Sequence, residues 1–155
     1  MRVIDYDSCG QQEYWLNEIK KSDWRAGQYL YKLLRENRFR DAVGEKSKVL
    51  MLVDEDKLVS FCTYAERDDI QPAALSPWMG FVYTFPQYRG HRYVGNLFQE
   101  IEKLAKAENV REFYISTNHT GLYEKYGCEF YQMMNDMNGE PSRVYRKRVE
   151  ESRLW

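Results

Sequence analysis

The stretch "WMGFVYTFPQYRGHRYVGNLFQ", Trp78 to Gln99, decides the fold. Its first part, "WMGFVYTF", is rich in residues that suit a strand, and Gly80 inside it predicts a bulge or a close backbone approach. A turn with Pro86 and Gly90 follows. Val94, Leu97, Phe98, Ile101, Leu104 and Ala105 then recur at helical spacing with Glu and Lys opposite, which predicts a helix from about Tyr93 to Glu108. "REFYIST" reads as the next strand. Trp78 to Thr117 is therefore a strand–helix–strand crossover, expected to be right-handed with parallel strands.

Working outward, "RVIDY" is a short strand, and "QQEYWLNEIKK" places Trp15, Leu16 and Ile19 on one helical face. Ser22 and Asp23 offer an N-cap for "DWRAGQYLYKLLREN", with Ala26, Leu30, Leu33 and Leu34 as its apolar stripe. "RDAVGEKS" reads as a turn. "KVLMLV" and "KLVSFCTYAE" flank the acidic "DEDK" as a hairpin, and "RDDIQPAALSP" is a loop. Beyond the crossover, "GLYEKYG" is a short helix closed by Gly127. "EFYQMM" and "RVYRKRV" are strands on either side of the turn "NDMNGEPS". The sum is a mixed α/β (α+β) fold in one domain spanning 1–155. Its six- to seven-stranded sheet is mostly antiparallel around one central parallel unit.

A chain of 155 residues buries a core without disulfide or metal staples. Its formal net charge of −1 argues against a dedicated nucleic-acid binder. No run approaches the roughly 20 apolar residues of a membrane span. The opening "MRVIDYDS" lacks the apolar core of a signal peptide. Cys9, Cys62 and Cys128 fit neither a zinc pattern nor a disulfide framework, and the expectation is a cytoplasmic protein with reduced thiols. His91 and His119, the only histidines, lie in separate elements, so no metal site is expected. "RKR" at Arg146–Arg148 reads as a charged edge strand that discourages unwanted pairing, rather than as a nucleic-acid patch.

The turn before the long helix raises a chemical question. A helix N-terminus presents free N–H groups and the positive end of the macrodipole, which suit a phosphate if the turn is tight. Gly90 supplies the turn, and Arg89 and Arg92 add charge that can bond phosphate oxygens in pairs. A surface corner with solvated arginines is the plain alternative. The P-loop pattern G-x-x-x-x-G-K-[ST] is absent, and so is G-x-G-x-x-G.

"VYTFPQYRGHRYVGNLF" followed by "FYISTNHTGLYEKYGCEFY" resembles the GCN5-related N-acetyltransferase (GNAT) superfamily. Its signature is a strand, then R/Q-x-x-G-x-G/A opening a helix, a second strand, an Asn, and a short "LY-x-x-x-G-F" helix. Arg89, Gly90 and His91 fill the first three places. Arg92 and Val94 stand where glycine and Gly/Ala are usual, and Cys128 replaces the Phe. The resemblance implies acetyl-CoA as co-substrate, with its pantetheine arm lying between splayed parallel strands. It implies that the backbone of Tyr83, Thr84 and Phe85 pairs with the pantetheine amides. The N–H groups of Gly90, His91, Arg92, Tyr93 and Val94 would cradle the pyrophosphate with help from Arg89, and Asn118 would bond the pantetheine.

Tyr123 matches the tyrosine that protonates the departing thiolate, while Tyr126 aligns with a core position. The implied activity is acetyl transfer by direct attack of a primary amine, on a small molecule or a protein. The alternative is a CoA-binding module without turnover. The strand "WMGFVYTF" has no carboxylate to act as general base. Glu66, Asp68 and Asp69 are candidates for holding a cationic acceptor or leading water to its amine, against a solvated acidic loop. His119 is another candidate base. Trp24, Tyr29 and Tyr31 are candidates for lining the acceptor cleft. Either a monomer or a homodimer is compatible with the sequence.

Overall fold

The computed structural model describes residues 1–70 and 74–149. Gln71–Ala73 of the expected loop and the last six residues of the expected domain lie outside the described residues. The elements run β1 (Arg2–Asp5), α1 (Gln12–Lys20), α2 (Arg25–Arg35), α3 (Phe39–Val43), β2 (Lys48–Asp54), β3 (Lys57–Ala65), β4 (Trp78–Thr84), α4 (Val94–Ala107), β5 (Glu112–Thr117), β6 (Glu129–Asn135) and β7 (Pro141–Arg148). Short 3₁₀ turns cover Pro86–Tyr88 and Tyr123–Tyr126. The five-residue α3 overlaps the start of the expected turn and is too short to display a helical period.

The strands form one seven-stranded sheet in the order β1-β2-β3-β4-β5-β7-β6. Only β4 and β5 are parallel; the pairs β1–β2, β2–β3, β3–β4, β5–β7 and β6–β7 are all antiparallel. The sheet carries apolar side chains on both faces. On one, α4 lays Leu97, Phe98, Ile101 and Ala105 over Leu50, Leu52, Cys62, Met79, Phe113 and Ile115. Each large side chain so buried contributes about 1.5–3 kcal/mol. On the other, Trp15, Ile19, Leu30 and Leu33 of α1 and α2 cover Val49, Met51, Phe61 and Tyr83.

Two local expectations are corrected. The cap of α2 is not Ser22 or Asp23 but Trp24, in extended conformation and with no side-chain bond to the helix. Ser22 is instead buried, crowded against Gly27, and its hydroxyl has no partner among the described residues. The basic run Arg146–Arg148 lies in β7, which is interior; the edge strand is β6. A charged strand is tolerated there because its cations are paired. Arg146 and Arg148 both reach Glu129, at 2.8 and 3.4 Å, and Lys147 reaches Glu102 at 3.4 Å.

Candidate active site

The parallel pair opens into a wedge. β4 and β5 are matched only at Trp78↔Tyr114, and the Tyr114 N–H donates to the Pro77 carbonyl at 3.0 Å. Beyond that apex the two strands carry no ladder. β4 also bends here: its register against β3 shifts between Phe61 and Thr63, and Phe81 takes a positive φ of 50°. This is the bulge that Gly80 suggested, one residue later. An extra residue on one strand re-aims the backbone of the strand that carries it.

Past the apex, strand alternation decides which amides are free. The Phe85 N–H donates to Val59 of β3 at 3.1 Å, and Thr84 is matched with Ser60. The main-chain groups of Thr84 therefore face away from β3, into the wedge. Its carbonyl is already engaged, because Arg89 Nε donates to it at 2.9 Å while the guanidinium lies 5.4 Å from the centre of the Tyr83 ring. Arg89 thus folds back along β4. The Tyr83 side chain points to the α1–α2 face, stacked on Trp24 with ring centres 5.5 Å apart, and its hydroxyl accepts from the Asp23 N–H at 3.3 Å.

At the wide end of the wedge the turn reverses with Gly90 at φ 88° and Arg92 at φ 58°. Glycine adopts that conformation freely; an L-residue there costs about 1–2 kcal/mol. Arg92 thus keeps the backbone path that a glycine would take. The N–H groups of Gly90, His91, Arg92, Tyr93 and Val94 donate to no partner among the described residues, whereas those of Gly95 and Asn96 are tied to the carbonyls of Arg92 and Tyr93 at 3.0 Å. Five adjacent free amides at the start of a fourteen-residue helix make a concave, electropositive rim. The side chains leave it open. His91 stacks on Tyr93 at 5.2 Å, and Val94 packs toward the core. Burial raises the Tyr126 phenol above its ordinary value, and exposed Arg92 lies close enough to offset part of that rise.

Tyr123 is buried beneath this rim, edge-on to Phe98 at 6.2 Å. It shares a core with Met79 of β4 and Ile115 of β5, the strands that flank the wedge. Burial, followed by the electrostatic influence of Cys128, Cys62 and Tyr126, pushes its phenol well above the ordinary value near 10. Tyr126 stacks flat on Phe98 at 4.9 Å and covers Gly95. Burial likewise raises the thiols of Cys62 and Cys128, the latter to about 12, so both stay protonated and inert. Asn118 lies exposed just past β5, and His119 donates its N–H to Thr117 Oγ1 at 3.0 Å.

The acceptor-side candidates divide. Glu66 is turned away from the wedge: its Oε1 accepts from the Lys46 N–H at 2.8 Å, and its stem covers Gly44. Tyr31 is engaged by Lys20 and Arg35, both lying over its ring. Exposed Tyr29 stacks on Phe81, the bulge residue, at 6.3 Å. Asp68 is folded over Gly80 at the apex and hydrogen-bonded to Asp69. Thr63, paired with Gly80 across the sheet, points its hydroxyl at the same place. Nothing in "LVSFCTY" singles Thr63 out, since a polar residue in a strand is ordinary until its cross-strand partner is known. Among the described residues, no three His, Cys, Asp or Glu side chains gather as metal ligands, and no helix is long and apolar enough to cross a membrane.

Comparison with known proteins agrees with this geometry. The model of the acetyltransferase (GNAT) family matches residues 13–133. Among solved structures, the aminoglycoside 6'-N-acetyltransferase from Enterococcus faecium superposes with a TM-score of 0.69 at 13% identity, covering 99% of this chain and 100% of that one. PaiA N-acetyltransferase from Thermoplasma acidophilum, in complex with coenzyme A, gives 0.60 at 13% identity, covering 96% and 99%. Ribosomal-protein-alanine N-acetyltransferase from Brucella melitensis gives 0.61 at 15% identity, covering 96% and 100%. No curated protein matches the chain in sequence.

Proposed function

The chain belongs to the acetyltransferase (GNAT) family, and from that premise we propose that it uses acetyl-CoA to acetylate a primary amine by direct attack. The observation that carries this reading is the row of free N–H groups at residues 90–94, set at the wide end of the β4–β5 wedge. A diphosphate needs several converging donors, and backbone donors suffice whatever the side chains are. Arg89 and Arg92 add positive potential at that rim. The pantetheine arm runs along Tyr83, Thr84 and Phe85 as an added strand, taking the Thr84 carbonyl from Arg89, with Asn118 bonding it from the β5 side. Its thioester then arrives at the apex, beside the bulge.

There the chemistry needs a neutral amine, a donor for the oxyanion and a proton for the leaving thiolate. A backbone N–H of the bulged Phe81–Thr84 segment serves the oxyanion. Tyr123, held protonated by burial, gives its proton to the sulfur. Asp68 and Asp69 draw a cationic acceptor to the apex, with Tyr29 and Trp24 on the flank of its approach. The acceptor is a small molecule or a protein amine. The three cysteines are free thiols, which fits a reducing compartment such as the cytoplasm.

Purified protein mixed with acetyl-CoA and a panel of primary amines, with free thiol followed by a colorimetric reagent, tests the reading. Amine-dependent thiol release is expected. Calorimetric binding of CoA with no transfer to any amine would replace the enzyme by a CoA-binding module.

A further inference from the structure

Two oxygen atoms converge on Gly80. A Cβ built there would lie 2.5 Å from Asp68 Oδ1 and 3.1 Å from Thr63 Oγ1. Gly80 has no positive φ to account for it, so what glycine provides at this position is room. Thr63 is fully buried, yet its hydroxyl has no hydrogen-bond partner among the described residues. A buried polar group left unpaired costs about 1–3 kcal/mol, so such groups call for a ligand or another reason to persist. Gly80 lies two residues past Trp78, the last position at which β4 pairs with β5, and directly before the bulge residue Phe81. Thr63 alternates with Cys62 and Tyr64 of the α4 side and shares the face of Phe61 and Ala65, so both oxygens face the α1–α2 side of the wedge apex, where on the acetyltransferase reading the acceptor nitrogen meets the thioester.

We propose that Asp68 is the general base of the reaction and that the Thr63 hydroxyl orients the attacking nitrogen beside it. This rests on the acetyltransferase reading above and names the group that β4 itself does not supply. The acceptor arrives as an ammonium ion. The Asp68 carboxylate accepts one of its protons, and Thr63 Oγ accepts a hydrogen bond from the resulting neutral amine. The nitrogen lone pair forms the C–N bond, and collapse of the tetrahedral adduct breaks C–S. The sulfur takes the Tyr123 proton, and the second proton lost by nitrogen restores the phenol. Asp68 then returns its proton to water. Burial, and next the hydrogen bond with Asp69, hold the Asp68 carboxyl well above the ordinary carboxylate range, closer to the working range of a base.

The test compares wild type with Asp68→Asn on two probes, 1,3-diaminopropane, which is largely protonated at pH 7, and 2,2,2-trifluoroethylamine, which is largely neutral there. Asp68→Asn is expected to lower kcat for diaminopropane by about 10²-fold and for trifluoroethylamine by less than about tenfold, with acetyl-CoA binding by calorimetry unchanged within about twofold. Equal losses on both amines, or no loss on either, would overturn the assignment. Thr63→Val serves as the second variant. It keeps the shape while removing the unpaired hydroxyl, so Tm should rise while kcat falls. A rise in Tm with kcat unchanged would assign Thr63 no part. Wild-type protein that binds acetyl-CoA but acetylates neither probe nor any amine of the wider panel would remove the acetyltransferase reading and this inference with it. Activity retained by Asp68→Asn on every amine removes this inference alone.

Discussion

The two ends of the β4–β5 wedge are built from different materials. At residues 90–94 the wedge presents main-chain N–H groups without partners among the described residues, beneath side chains that depart from the glycines of the family signature. At the apex it presents side chains, Asp68 and Thr63, converging over a residue that has none. A site made of backbone tolerates substitution as long as the path is kept: Arg92 still takes φ 58°. A site made of side chains has no such tolerance, and its members come from β3, the loop after it, and β4. The first is written locally in the sequence, the second only in the cross-strand register.

Breaking the backbone end should have the largest effect. Gly90→Pro forbids φ 88° and removes one of the five donors. Acetyl-CoA affinity measured by calorimetry should fall about 10²-fold or more. The exposed position leaves the core untouched, so Tm should change by no more than about 2–4 °C. Binding that survives this change would mean the diphosphate is held elsewhere.

Tyr123→Phe should come next, since it removes a proton donor without removing bulk. We expect kcat to fall about 10²-fold, with acetyl-CoA binding nearly constant. Because burial raises the phenol above its ordinary value, it stays protonated across pH 6–9. Wild-type rate should therefore show no alkaline loss from this group below about pH 10. Full turnover by Tyr123→Phe throughout that range would exclude the acid role.

This contrast also explains what the sequence disclosed. The apolar spacing from Val94 to Ala105 identified α4 to within a residue at each end, because one helix face packs on one core. The hairpin β2–β3 and the parallel β4–β5 crossover were equally legible. The interior place of β7 was not, since its Arg146–Lys147–Arg148 run looks like an edge until Glu129 and Glu102 are seen beside it. Ser22 resembles a cap in sequence, but Gln28 reaches back to the Lys20 and Ser22 carbonyls and Trp24 takes the cap position. Asp68 stood out as an acid in a loop. Thr63 did not, because its meaning depends on Gly80 across the strand pair.

The apex should reveal itself in stability as well as in rate. Asp68 is raised in the folded protein relative to an ordinary carboxylate near 3.9, so the native state binds its proton more tightly than the unfolded chain. Its contribution to stability is full below about pH 3.9 and declines as pH rises toward the folded value. Asp68→Asn removes that decline. The variant should melt higher than wild type at pH 7, and the gap should close as pH is lowered toward 4. A variant melting lower than wild type at pH 7 would show that the carboxylate supports the fold instead of serving the reaction.

Arg92→Gly should have the smallest effect, and two opposing terms meet in it. Relief of the left-handed arginine gains about 1–2 kcal/mol, while the freedom glycine brings to the unfolded chain costs about 0.5–1. The net gain of a few tenths to about 1 kcal/mol should raise Tm by roughly 1–3 °C. Affinity for acetyl-CoA should move the other way, weakening about two- to fivefold as one exposed guanidinium leaves the rim. That loss should shrink in high salt, where exposed charges are screened. If binding instead tightened at low salt, the arginine would be obstructing the cradle, and the five amides would owe nothing to the charge above them.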